Sequence, residues 1–158
     1  MSLPQIGSFL KKLTIAFLSA LLNFPLLGFL YSNKKISKLF WYYYLNNKSL
    51  KAWESDTQMV FCYFLVHFFI SICLTFLVYW IRSLKPRMST KMGTFKIAMV
   101  FYCLTQLFSC GMFATQIEYP YPLIMLDAII GLITAMTLAT IIHSLDWSFN
   151  RIFKKKKN

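Results

Sequence analysis

Four long apolar blocks separated by shorter polar stretches set the pattern of this chain: Leu13 to Tyr31, Met59 to Ile81, Ile97 to Thr115 and Leu123 to Leu145. At about 1.5 Å of rise per residue, roughly 20 helical residues cross about 30 Å of hydrocarbon, and each block meets that length. The pattern predicts an all-α polytopic membrane protein, a single transmembrane domain over residues 1–158 with four helices and a basic tail over residues 146–158. The second block is the most uniformly apolar. Asn23, Pro25 and Gly28 interrupt the first, and Thr105, Gln106 and Ser109 dilute the third. Lys11 and Lys12 ahead of the first block give it some likeness to a secretory signal. Its apolar run is longer than the roughly 7–15 residues of such a signal and no small-x-small site follows, so the helix is expected to be retained.

The stretch between the first two blocks, residues 32–58, is too long for a turn. Its "KLFWYYYLNNKSLKAW" mixes aromatics with lysines, a composition that favours the headgroup layer, with rings at the boundary and ammonium groups at the phosphates. An interfacial segment is expected there. Asn47, in Asn47-Lys48-Ser49, is a possible glycosylation site. Between the last two blocks, Pro120 and Pro122 end one helix and start the next, which predicts a tight hairpin.

Composition agrees with a lipid solvent: 58% of the 158 residues are hydrophobic and only 14% are charged, against about a quarter in soluble domains. The net charge of +12 would point to nucleic acid in a soluble protein, but the basic residues lie between and beyond the apolar blocks, as membrane proteins distribute them. No nucleic-acid partner is expected. With four spans, twelve of the 17 Lys and Arg fall on the side of the two termini and the second loop, and five on the other. That asymmetry predicts cytosolic termini. Lys34, Lys35 and Lys38, just after the first helix, vote locally the other way.

The candidate chemistry is sparse. Cys62, Cys73, Cys103 and Cys110 fall inside apolar blocks and read as small hydrophobes without disulfide or metal spacing. No metal or other cofactor is expected. Catalytic motifs of the zinc-hydrolase, serine-hydrolase and phosphate-loop kinds are absent from the sequence. Asp127 is the one acid inside a block, and Asp127, Gly131, Ala135, Ala139 and His143 recur every four residues. This row makes a packing face, toward either another span or another subunit. A second row, Tyr63, His67, Ser71 and Thr75, must turn from lipid toward polar partners, with Gln106 or Asn23 available. His67, Gln106 and Asp127 would form a reaction centre only if the fold gathered them.

The terminal "FKKKKN" either binds the anionic leaflet or is read by a receptor. Lys155 and Lys156 are the fourth and third residues counted back from the end, with Asn158 as the first, and in that they resemble the dilysine retrieval signal recognised by the retrograde vesicle coat. This resemblance implies the endoplasmic reticulum membrane. The four-block layout, the lysine-rich end and "FCYFLVHFF" (Phe61 to Phe69) are similar to the small sterol-related membrane family that includes the sigma-2 receptor. The resemblance implies lipid or sterol handling, possibly of an isomerase-like kind, although the acids that this family carries in its first two spans are missing. Three functions are therefore weighed: a non-catalytic accessory or assembly subunit of a larger membrane-protein complex, a lipid-binding protein with a pocket near His67 and Gln106, and a small transporter or channel subunit, which would need oligomers because four short spans with one acid make a poor permeation path.

Overall fold

The computed structural model describes residues 3–46, 56–116 and 121–155, and among these every regular element is helical. The order is α1 (Leu3–Tyr31), α2 (Lys34–Asn46), α3 (Asp56–Leu84), a 3₁₀ turn (Pro86–Ser89), α4 (Lys91–Gln116) and α5 (Tyr121–Lys155). Among the described residues, three stretches are long and apolar enough to cross a membrane, Ile6–Tyr31, Val60–Leu84 and Tyr121–Ile152; α4, which carries the third apolar block with its Thr105 and Gln106, is not one of them.

Several boundaries lie outside the apolar blocks. Helix α1 begins ten residues ahead of its block and runs through Pro25 without a break. Proline removes one backbone hydrogen bond, yet leaving the helix would orphan many more where no water is at hand. Helix α5 continues past Leu145 to Lys155, so most of the expected tail is helix. The loop after α1 contains α2, started by Asn33. The carbonyl of Asn33 accepts from Ser37 N at 2.8 Å, and its side-chain oxygen accepts from Lys35 N at 3.1 Å, an N-cap arrangement. The sequon at Asn47 and the prolyl hairpin at Pro120 lie outside the described residues.

The turn between α3 and α4 is tightly built. Pro86 opens the 3₁₀ turn, and Thr90 caps α4 by accepting from Gly93 N at 3.0 Å through its hydroxyl and from Thr94 N at 3.0 Å through its carbonyl. Gly93 is required by close approach, since a Cβ there would stand 2.3 Å from the backbone oxygen of Met88.

Helix α1 packs along both α3 and α5, and α5 packs along α4; α3 also meets α4. Aromatic pairs zip α1 to α3 in antiparallel sense: Phe9 with Phe76, Phe17 with Phe68, and Phe24 with Phe64. The buried centre is formed by Ile15, Leu74, Val78, Ile97, Ala98, Leu138, Ala139 and Ile142. Phe61, Val66, Phe69 and Trp80 of α3 and Met125 and Ile129 of α5 point outward, as expected of helices whose outer faces meet lipid.

Candidate functional site at one end of the bundle

Polar residues on α1, α3 and α5 sit at matching heights. Lys11 and Tyr31 are twenty residues apart on α1, Tyr63 and Arg82 nineteen on α3, and Asp127 and Asp146 nineteen on α5. At about 1.5 Å per residue, each interval is roughly 28–30 Å, the thickness of a hydrocarbon core. The residues meet at both ends of these intervals. At one end the Tyr31 hydroxyl donates to Asp127 Oδ1 at 2.8 Å, and the Tyr31 and Tyr63 rings lie 6.4 Å apart. At the other, Lys11, Arg82 and Asp146 form one charged cluster.

Asp146 is the hub of that cluster. Its Oδ1 accepts from Lys11 Nζ at 2.7 Å, from the Tyr79 hydroxyl and from Asn150 Nδ2 at 3.2 Å. Its Oδ2 accepts from Arg82 Nη1 at 2.8 Å. Arg82 Nη2 reaches Thr94 Oγ1 at 2.6 Å and lies 3.2 Å from His143 Nδ1, so α3, α4 and α5 are tied through one guanidinium. Lys11 also donates to Asn150 Oδ1 at 2.8 Å, which brings the early part of α1 beside the last turns of α5. The Arg82 and Asp146 side chains are only 8% and 13% exposed, so a bare charge at either position would be costly. At this hub lies an open cavity of about 460 Å³, lined by Lys11, Arg82, Asp146, Ser83, Ser89 and His143 among others.

Midway along the helices lies a second polar group. Asn23 Nδ2 stands 3.2 Å from His67 Nε2 and donates to the Thr134 carbonyl at 3.1 Å, and the Ser71 hydroxyl donates to the Ala16 carbonyl at 2.8 Å. Asn23, His67 and Ser71 are buried. Gln106, half-buried on α4, is not a hydrogen-bond partner of the Asn23–His67 pair, which is closed instead by α5. Nor does Asp127 join it, because it bonds to Tyr31 at the bundle's end. His67, Gln106 and Asp127 are therefore not assembled into one centre.

The row on α5 turns inward over much of its length. Asp127 meets α1, and Gly131 faces Tyr102 of α4, whose ring would stand 3.0 Å from a Cβ. Ala139 is in the buried centre and His143 adjoins Arg82 of α3. Ala135 is half-buried. The most buried line of α5 is the neighbouring one: Ile130, Thr134, Leu138, Ile142 and Asp146.

The apolar blocks do not single out the charged cluster, because Asp146 falls just past the last of them. Part of the signal lies in helical spacing: extending His67, Ser71 and Thr75 by four residues reaches Tyr79, and stepping back in fours from Asn23 through Ser19 and Ile15 reaches Lys11. Among the described residues no group of three His, Cys, Asp or Glu side chains is placed to hold a metal ion, and Cys62, Cys73 and Cys103 are free thiols. Lys155 closes α5, while Lys156 lies outside the described residues. Compared with protein-family models, curated proteins and solved structures, the chain matches none.

Proposed function

We propose that this chain is a four-span protein of the endoplasmic reticulum membrane, with both termini in the cytosol, that serves as a non-catalytic accessory or assembly subunit of a larger membrane complex. The observation that carries the reading is the use of its polar groups. Asp146 holds Lys11, Tyr79 and Arg82, Asp127 holds Tyr31, and Asn23 bridges His67 and Thr134. These bonds fix helices against one another, which suits a structural rather than a chemical role.

The fourth crossing is supported by geometry. Helix α4 starts beside Arg82 at the charged end, and the chain must reach the start of α5 at the other. Its 26 residues extend about 39 Å. Helix α2, with Lys34, Lys35 and Lys38 beside its aromatic run, is assigned to the opposite interface as an anchor. The concentration of Lys and Arg at the charged end supports its cytosolic placement, and Lys155 with Lys156 supports retrieval by the vesicle coat.

The experiment is purification of the tagged protein from membranes in mild detergent. One large membrane protein in stoichiometric yield, lost on high-salt washing only if its contacts are ionic, is the expected result. A monodisperse protein accompanied only by lipid would replace this reading with lipid handling, the second function, which the cavity beside Arg82 favours.

A further inference from the structure

We infer that the cavity beside the Arg82–Asp146 pair is a binding site for a phosphate group, of the kind carried by an anionic lipid headgroup. The first ground is charge. Lys11 and Arg82 line the cavity, Lys12 lies over the Tyr79 ring at 5.4 Å, and Arg151 lies over the Trp147 ring at 5.3 Å. Asp146, which lines the same cavity and pairs with both Lys11 and Arg82, is the one carboxylate there among the described residues, so the lining keeps a net positive charge. Of the other acids, Asp56 and Asp127 belong to the opposite end of the bundle, and Glu54 and Glu118 lie outside the described residues.

The second ground is a cation already fixed in place. Arg82 is about nine-tenths buried, with Nη1 on Asp146 Oδ2 and Nη2 on Thr94 Oγ1. A guanidinium held rigidly by Asp146 and Thr94 keeps its positive charge beside the cavity it lines without having to be ordered when an oxyanion binds. Lys11 uses two of its three N–H groups on Asp146 and Asn150, and the Ser83 and Ser89 side chains border the same space.

The third ground is position and size. The cluster stands about 28–30 Å along the helices from the Tyr31–Asp127 contact, at the level where phosphates of one leaflet lie. A volume of about 460 Å³ is within the range of small-molecule sites. This inference rests on the membrane reading, but on neither a protein partner nor the identity of the facing compartment.

The test is titration calorimetry on the purified full chain in non-ionic detergent with three probes: dioctanoyl phosphatidic acid, inorganic phosphate and dioctanoyl phosphatidylcholine. Saturable binding of phosphatidic acid well above phosphatidylcholine is expected. Ser89→Glu, which puts a carboxylate at the cavity rim without touching the ion pair, should weaken it at least about tenfold. Ser83→Glu repeats the test from α3 should the 3₁₀ turn not accept Ser89→Glu, and Ser32→Glu at the far end should leave affinity unchanged. Phosphatidic acid binding without inorganic phosphate binding assigns the site to a headgroup; equal binding of both assigns it to free phosphate. Binding of neither, equal binding of phosphatidylcholine, or an unchanged affinity in both rim variants overturns the site. Because detergent removes membrane sidedness, these outcomes are independent of whether a protein partner co-purifies.

Discussion

Replacing Asp146 by Asn keeps the shape of the hub and removes its charge. Arg82 would then remain as a buried cation facing a neutral amide, Thr94 Oγ1 and the His143 ring, while Lys11 loses the charge of its 2.7 Å partner and keeps Asn150 Oδ1. Removing one member of a buried ion pair costs about 3–5 kcal/mol, mostly because the remaining charge stays desolvated. Lys11 is 21% exposed and can extend into the headgroup layer, so Lys11→Met should cost no more than about 1 kcal/mol. The assay is reversible unfolding in mixed micelles with increasing fraction of denaturing detergent, followed by far-UV circular dichroism. The double variant Arg82→Met with Asp146→Leu removes both charges together and should recover at least half of the loss seen in Asp146→Asn. A loss below about 1 kcal/mol in Asp146→Asn, or a double variant no more stable than Asp146→Asn, would refute the view that this pair holds α3 to α5.

Gly93→Ala should destabilise by about 1–3 kcal/mol in the same assay, because the new methyl would strike the Met88 backbone. Gly131→Ala meets only the Tyr102 ring edge, which can rotate, and should cost less than Gly93→Ala. Asn23→Leu removes the bonds to His67 and the Thr134 carbonyl and should cost about 1–2 kcal/mol. Serine at both Lys155 and Lys156 should let the protein leave the endoplasmic reticulum, read by immunofluorescence; unchanged retention would remove the coat-binding role.

Helix identity was legible in the sequence because long apolar blocks leave the backbone no alternative in lipid. Their ends were not: α1 begins at Leu3 and α5 extends to Lys155, since amphipathic turns continue a helix beyond the oily region. Asn23 as a partner for His67 could be anticipated from the need to satisfy a buried imidazole. The choice between Asn23 and Gln106 depended on which helices are neighbours, and hydropathy does not encode that. The Lys11, Arg82 and Asp146 cluster was hidden for a related reason. Each residue taken singly reads as an ordinary charge near a helix end, and the common spacing to Tyr31, Tyr63 and Asp127 marks them as one layer.

That common spacing makes the central claim directly measurable, because it requires α1 and α5 to place their Lys11 and Asn150 ends on the same face of one bilayer. Split-reporter tags attached before Met1 and after Asn158, read in intact cells with complementing fragments in the cytosol or in the lumen, decide it. Signal from both tags with the cytosolic fragment, and from neither with the lumenal one, is the predicted result. One tag on each side would contradict the account, since an odd number of crossings would separate Lys11 from Asp146.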